Sequence, residues 1–152
     1  MTKTVKIVLG VLGGFVLLVI VVGATGCYMV MSAFQSQETT EQEAVAAFTE
    51  MRAKFPDVKP ALTFGPEGPG VARTPPATAA AKPPSTVHVL YFDKGEGRLT
   101  RVHLPLALLK LTNSPFEFNN VEMDIADIER YGSTVLLDGD TPDGDPLFVW
   151  TD

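Results

Sequence analysis

Thr86 to Leu104, TVHVLYFDKGEGRLTRVHL, is the stretch on which the fold turns. Its two arms are rich in β-branched and aromatic residues, and Lys94-Gly95-Glu96-Gly97 between them is turn-forming, so the spacing predicts a β-hairpin. A two-residue turn at Gly95-Glu96 and a symmetric four-residue loop give the same register. Asp93 faces Arg98, Leu90 faces Arg101, Val89 faces Val102 and His88 faces His103. The opposed charges of Asp93 and Arg98 favour this pairing, and a slip of one residue loses it. One face then carries Val87, Val89, Tyr91, Val102 and Leu104 and is the expected core; the other carries both histidines.

Two facing histidines suggest a metal ligand pair or a pH-responsive pair, because neutral imidazole binds zinc and close imidazoles resist double protonation. Zinc takes three or four protein ligands, however, and the chain has only two histidines and one cysteine. An ordinary half-exposed strand pair is the plainer expectation.

Toward the C-terminus, Pro105 to Leu111 reads as a short buried helix with proline in its first turn. Asn113 to Asn120 reads as loop, with Phe116 and Phe118 alternating like an edge strand. Asp124 caps a short helix from Ile125 to Tyr131, and Gly132 ends it in a left-handed conformation. Thr134 to Asp138 and Pro146 to Thr151 then form a second hairpin around GDTPDGD. A symmetric version of that hairpin opposes Asp140 and Asp145, and with Asp138 and Asp143 these acids make a candidate calcium loop. Pro142 occupies a ligand position of the DxDxDG spacing, so Asp-Gly turn chemistry explains them without an ion.

Toward the N-terminus, residues 65–85 (GPEGPGVARTPPATAAAKPPS) hold few large apolar side chains and read as a flexible loop. Ala61 to Phe64 suits a short strand. Thr40-Glu41-Gln42-Glu43 is a capping box, and Ala44, Phe48, Met51 and Phe55 form one apolar stripe on the helix it opens, before Pro56. Before that, Ile7 to Phe34 contains no charged side chain. Such a run is long enough for a transmembrane helix. Lys3 and Lys6 precede it and only acids follow closely, so the positive-inside rule places the N-terminus in the cytoplasm and the remainder outside.

Ala24-Thr25-Gly26-Cys27 resembles a bacterial lipobox, which implies lipid attachment at Cys27. Ala24 stands where leucine is usual, and Tyr28 to Met31 prolong the apolar run, so an uncleaved signal-anchor is the first expectation and a lipoprotein the second. Cys27 is also available for an intermolecular disulfide. Gly10 and Gly14 have the small-xxx-small spacing of helix dimers.

The expected organisation is a cytoplasmic segment at 1–6, a signal-anchor at 7–34, a juxtamembrane helix and short strand at 35–64, the loop at 65–85 and a small extracytoplasmic domain at 86–152. The fold class is α+β, a small antiparallel sheet of two hairpins with two short helices between them. Outside Lys3 and Lys6, ten basic residues face eighteen acidic ones. That acidity disfavours nucleic acid as a partner and fits a protein partner or a homodimer. No nucleophile elbow, phosphate loop, dinucleotide fingerprint or zinc-protease motif is present, and carboxylates such as Glu122, Asp124 and Asp127 sit where helix N-termini attract acids anyway. The expected role is non-enzymatic and cofactor-free: protein contact in a bacterial-type cell envelope, with a cation or small-ligand binding module as the alternative.

Overall fold

The computed structural model describes residues 17–28, 31–65, 68–78, 80–113, 115–118 and 121–152. They fall into two units divided after Ala33. In the first, residues 17–28 and 31–33 are helical. Leu17, Leu18, Val19, Ile20, Val21 and Val22 there all expose aliphatic side chains, and Thr25 donates to the Val21 carbonyl at 2.8 Å. Among the described residues no helix is long and apolar enough to cross a membrane. Much of the expected span, 7–16 and 29–30, lies outside the described residues, as do Gly10 and Gly14. Its far end is corrected: Phe34 opens a strand and does not continue a helix.

The second unit is a seven-stranded mixed sheet with helices on both faces. Its strands are β1 (Phe34–Glu38), β2 (Leu62–Gly65), β3 (Gly68–Val71), β4 (Thr86–Asp93), β5 (Arg98–Pro105), β8 (Val135–Asp140) and β9 (Pro146–Thr151), in the order β1-β5-β4-β9-β8-β2-β3. Only the β2–β8 pairing is parallel. Two short strands, β6 (Phe116–Phe118) and β7 (Val121–Met123), pair separately. The helices are α1 (Glu41–Ala53), α2 (Leu106–Thr112) and α3 (Ile125–Tyr131). Both predicted hairpins are present with two short helices between them, but β1, β2 and β3 enlarge the expected four-stranded sheet to seven.

The β4–β5 register is the predicted one in every pair, from Thr86 opposite Pro105 to Asp93 opposite Arg98. The opposed charges at its end are spent differently. Asp93 accepts from the Glu96 amide at 2.9 Å inside the turn, and Arg98 meets Glu96 at 3.3 Å. Val87, Val89 and Val102 are buried on the expected face, with Leu106 of α2, Phe116, Met123 and Ile128 of α3 packed over them.

The opposite face is core as well. Leu90, Phe92 and Leu99 join Val135 and Phe148 beneath α1, which contributes Ala44 and Phe48 and rests Met51 and Phe55 against them. Each such side chain, fully buried, contributes about 1.5–3 kcal/mol. The capping box forms as read: the Glu43 amide donates to Thr40 Oγ1 at 3.3 Å, and the Thr40 amide donates to the Glu43 carboxylate at 3.1 Å. Hydrogen bonds from the Thr39 hydroxyl and from Thr40 hold the Glu43 carboxyl below its ordinary range.

α2 corrects its expectation in part. Pro105 is the cap residue just before the helix, and of the leucines only Leu106 is buried, while Leu108 and Leu111 stand exposed at 50% and 82%. α3 starts as predicted, with the Asp124 carboxylate accepting from the Ala126 amide at 3.2 Å, but its end is corrected: Gly132, at φ 71°, ψ −157°, has positive φ yet lies outside the left-handed helical region.

Part of the segment read as loop is strand, since β3 pairs along β2. Beyond it the Ala72 and Arg73 amides both donate to the Ala61 carbonyl, at 2.9 and 3.1 Å. Arg73 also donates to Thr134 Oγ1 at 2.9 Å and lies 5.2 Å from the Tyr131 ring centre, while the Tyr131 hydroxyl donates to the Arg73 carbonyl.

The second hairpin carries a β-bulge that the symmetric reading lacks. Val135 faces Trp150, but the next pair is Leu137 with Val149, so β8 spends an extra residue there. Leu136 and Leu137 consequently bury into the same cluster, on the face away from α1. Asp138 returns to the α1 side, where Arg52 grips it from Nε and Nη2 at 2.7–3.0 Å. Past the bulge every partner has moved by one.

Candidate functional site

His88, His103 and Trp150 form one row across three neighbouring strands, because β4 pairs His88 with His103 on one side and with Trp150 on the other. The His88 and His103 Nδ1 atoms are 2.7 Å apart, and the rings meet edge to face. On its other side His88 stacks on the Trp150 indole at 5.1 Å and 14°. Asp152 Oδ2 lies 3.0 Å from His88 Nε2, near enough for ionic attraction but away from the N–H axis, so no well-formed hydrogen bond results. The Ser85 hydroxyl donates to Asp152 Oδ1 at 3.2 Å. That serine therefore faces the carboxylate and not an imidazole.

Above this row, past the end of α1, opens a cleft of about 300 Å³ lined by Met51, Lys54, Leu90 and Arg101 with the His–His–Trp row and Asp152. Among the described residues neither Lys54 nor Arg101 has a carboxylate partner within 4 Å. Burial first, then the neighbouring His88 and Arg101, push His103 below the ordinary histidine range, against a smaller opposing pull from Asp152. Burial by itself would raise Asp152. The contact with His88, together with Ser85 and Thr86, outweighs it and holds this carboxyl below its usual value.

The arrangement favours proton sharing over metal binding. With one proton on the pair, the two Nδ1 atoms share one hydrogen and both Nε2 atoms carry theirs, which leaves His103 with a donor at Nε2. A second proton would set two N–H groups against each other. Two imidazoles on one tetrahedral zinc have nitrogens about 3.3 Å apart, each about 2.0–2.1 Å from the metal. At 2.7 Å the two Nδ1 atoms are a hydrogen-bonded pair with no space for an ion between them. Among the described residues no group of three metal-ligating side chains converges.

The acidic hairpin tip disperses. The bulge sets Asp140 opposite Pro146, which corrects the expected Asp140–Asp145 opposition. Asp138 is taken by Arg52. Asp145 accepts from the Tyr91 hydroxyl at 2.9 Å and the Lys94 amide at 3.1 Å, and its own amide donates to Thr141 Oγ1 at 3.2 Å. Burial and the Asp145 contact push the Tyr91 phenol up to about 12. Asp143 lies exposed in the turn between Thr141 and Gly144. Cys27 is exposed on the helical residues of the first unit.

Sequence reasoning paired the histidines but missed Trp150, Asp152 and Lys54. One local signal pointed there: Leu90, Phe92 and Leu99 share the histidine face, a sign of cover over it. Comparison with family models, with curated proteins and with solved structures found no match.

Proposed function

We propose that this chain is a single-pass protein of the cytoplasmic membrane in a bacterial-type cell envelope, holding a compact acidic domain on the outer side for contact with another protein or a second copy. The observation that carries the reading is the uncharged run from Ile7 to Phe34, whose helical residues Leu17 to Val22 expose aliphatic side chains that lipid would cover. Lys3 and Lys6 before the run support a cytoplasmic N-terminus. The following part has ten basic and eighteen acidic residues, which supports a solvated domain that avoids nucleic acid and anionic lipid. Exposed Leu108 and Leu111 on α2 supply apolar area for a protein contact. Catalysis has no part in this proposal.

Protease added to sealed spheroplasts tests the topology. Loss of the Trp150 region without lysis is the expected result; protection until lysis overturns it. Mild-detergent extracts should hold the protein in a larger complex or as a dimer, and a monomer in every detergent removes the contact role. Exposed Cys27, preceded by Ala24, Thr25 and Gly26, favours one alternative anchor, a lipid on that thiol after cleavage. Intact mass of the membrane form separates it from the full-length anchor.

A further inference from the structure

The cleft beside the two histidines has a composition at odds with the acidic domain around it. Lys54 reaches it from just past α1, Arg101 and His103 from β5 and His88 from β4, and Asp152, following β9, is the one carboxylate among its described lining residues. The β1 residue opposite Arg101 is Gln35, which adds no charge. Two cations with no carboxylate partner among the described residues, beside an imidazole with a free Nε2, make a set of donors without a matching acceptor.

We propose that this cleft binds a small oxyanion, held by Lys54, Arg101 and His103 Nε2–H, and that the His88–Asp152 contact makes the binding tighten as pH falls. Fork-shaped guanidinium and compact ammonium donors suit carboxylate, sulfate or phosphate oxygens. At high pH the neutral histidine pair leaves the Asp152 charge uncompensated at the cleft wall, and it repels the ligand. A proton taken up by the coupled pair offsets that repulsion, because Asp152 Oδ2 lies 3.0 Å from the nearer ring of the pair. The same proton fixes His103 with its hydrogen on Nε2, which makes it a donor. The lowered protonation tendency of His103 agrees, since it keeps the second proton away. Removing one repelling charge at this range changes affinity roughly fivefold to tenfold.

Trp150 is the only tryptophan and stacks on His88, so its fluorescence reports the cleft directly. The full chain in non-ionic detergent micelles is titrated with sodium sulfate and with sodium acetate at about pH 5.5 and about pH 8, ionic strength being held with chloride. A saturable change with at least one anion, roughly fivefold to tenfold tighter at the lower pH, is the expected result. The stronger of the two anions identifies a tetrahedral or a planar carboxylate-type ligand. Lys54→Gln and Arg101→Gln should each weaken binding several-fold while keeping the melting temperature of the parent, because neither side chain is in the core. No saturable change with either anion, equal affinity at both pH values, or undiminished affinity in both variants overturns the proposal.

Discussion

Replacing Gly132 by alanine tests whether the segment after β3 is packed against the sheet domain. Gly132 sits at φ 71°, ψ −157°, a region that only glycine occupies freely, and an added Cβ would stand 2.9 Å from the Cβ of Ala80. Forcing an L side chain into that backbone costs about 1–3 kcal/mol. Relieving the collision costs about 1–3 kcal/mol more if the backbone at Ala80 must shift. Alanine also restricts the unfolded chain, which returns about 0.4–1 kcal/mol, so the net loss should be about 1–5.5 kcal/mol. Urea unfolding followed by Trp150 fluorescence measures it, with an unchanged slope confirming that the unfolded state is not what moved. In an Ala80→Gly background the collision vanishes, and Gly132→Ala should then cost about 1–3 kcal/mol less than in the parent. A loss under about 0.5 kcal/mol in the parent refutes the strained conformation; the same loss in both backgrounds refutes the contact with Ala80.

Folding stability should fall in two acid steps. His103 titrates below its ordinary 6.5 in the folded chain, so the unfolded chain takes its proton first and stability drops as pH falls from about 6.5 through the folded value. Asp152 is held below its ordinary 3.8, so its contribution is present above that value and is lost as pH falls through the lower folded one. Thermal melts across pH should show both steps, and His103→Gln should flatten the upper one; an unaltered upper step in that variant refutes the assignment. Arg52→Ala should cost about 0.5–1.5 kcal/mol, through the bidentate hold on Asp138 and the guanidinium 5.7 Å from the Phe48 ring centre. Arg52→Lys should recover little of it, since an ammonium cannot reproduce the fork. Tyr91→Phe should cost about 0.5–1.5 kcal/mol by urea unfolding. Spectrophotometric titration should find one phenol at about 12, which Asp145→Asn moves back toward 10.

The β4–β5 register was legible because turn, charge and alternation all act within nineteen residues. Both-face burial was signalled by the near-continuous apolar run Val87 to Phe92, apart from His88, of the kind strands show when covered on each side. His88 and His103 on that face give it a polar cast in the sequence. β1 and β3 escaped for a different reason. Phe34-Gln35-Ser36-Gln37-Glu38 and Gly68-Pro69-Gly70-Val71 have little intrinsic strand preference, and they are ordered by pairing with β5 and β2. The bulge at Leu136 answers to packing on two faces, which no local pattern encodes. The cleft itself was only half legible, since the contact of His88 with Trp150 depends on β4 meeting β9 across sixty residues. Local spacing says nothing about that meeting.

β9 occupies the middle of the sheet, with β4 on one side and β8 on the other. Without β9 the sheet divides into two groups of strands, β1-β5-β4 and β8-β2-β3, that share no hydrogen-bonded seam among the described residues. The six residues Pro146–Thr151 act as a keystone. Any state of the domain in which β9 is detached thus offers unpaired strand edges to chaperones and to proteolytic surveillance.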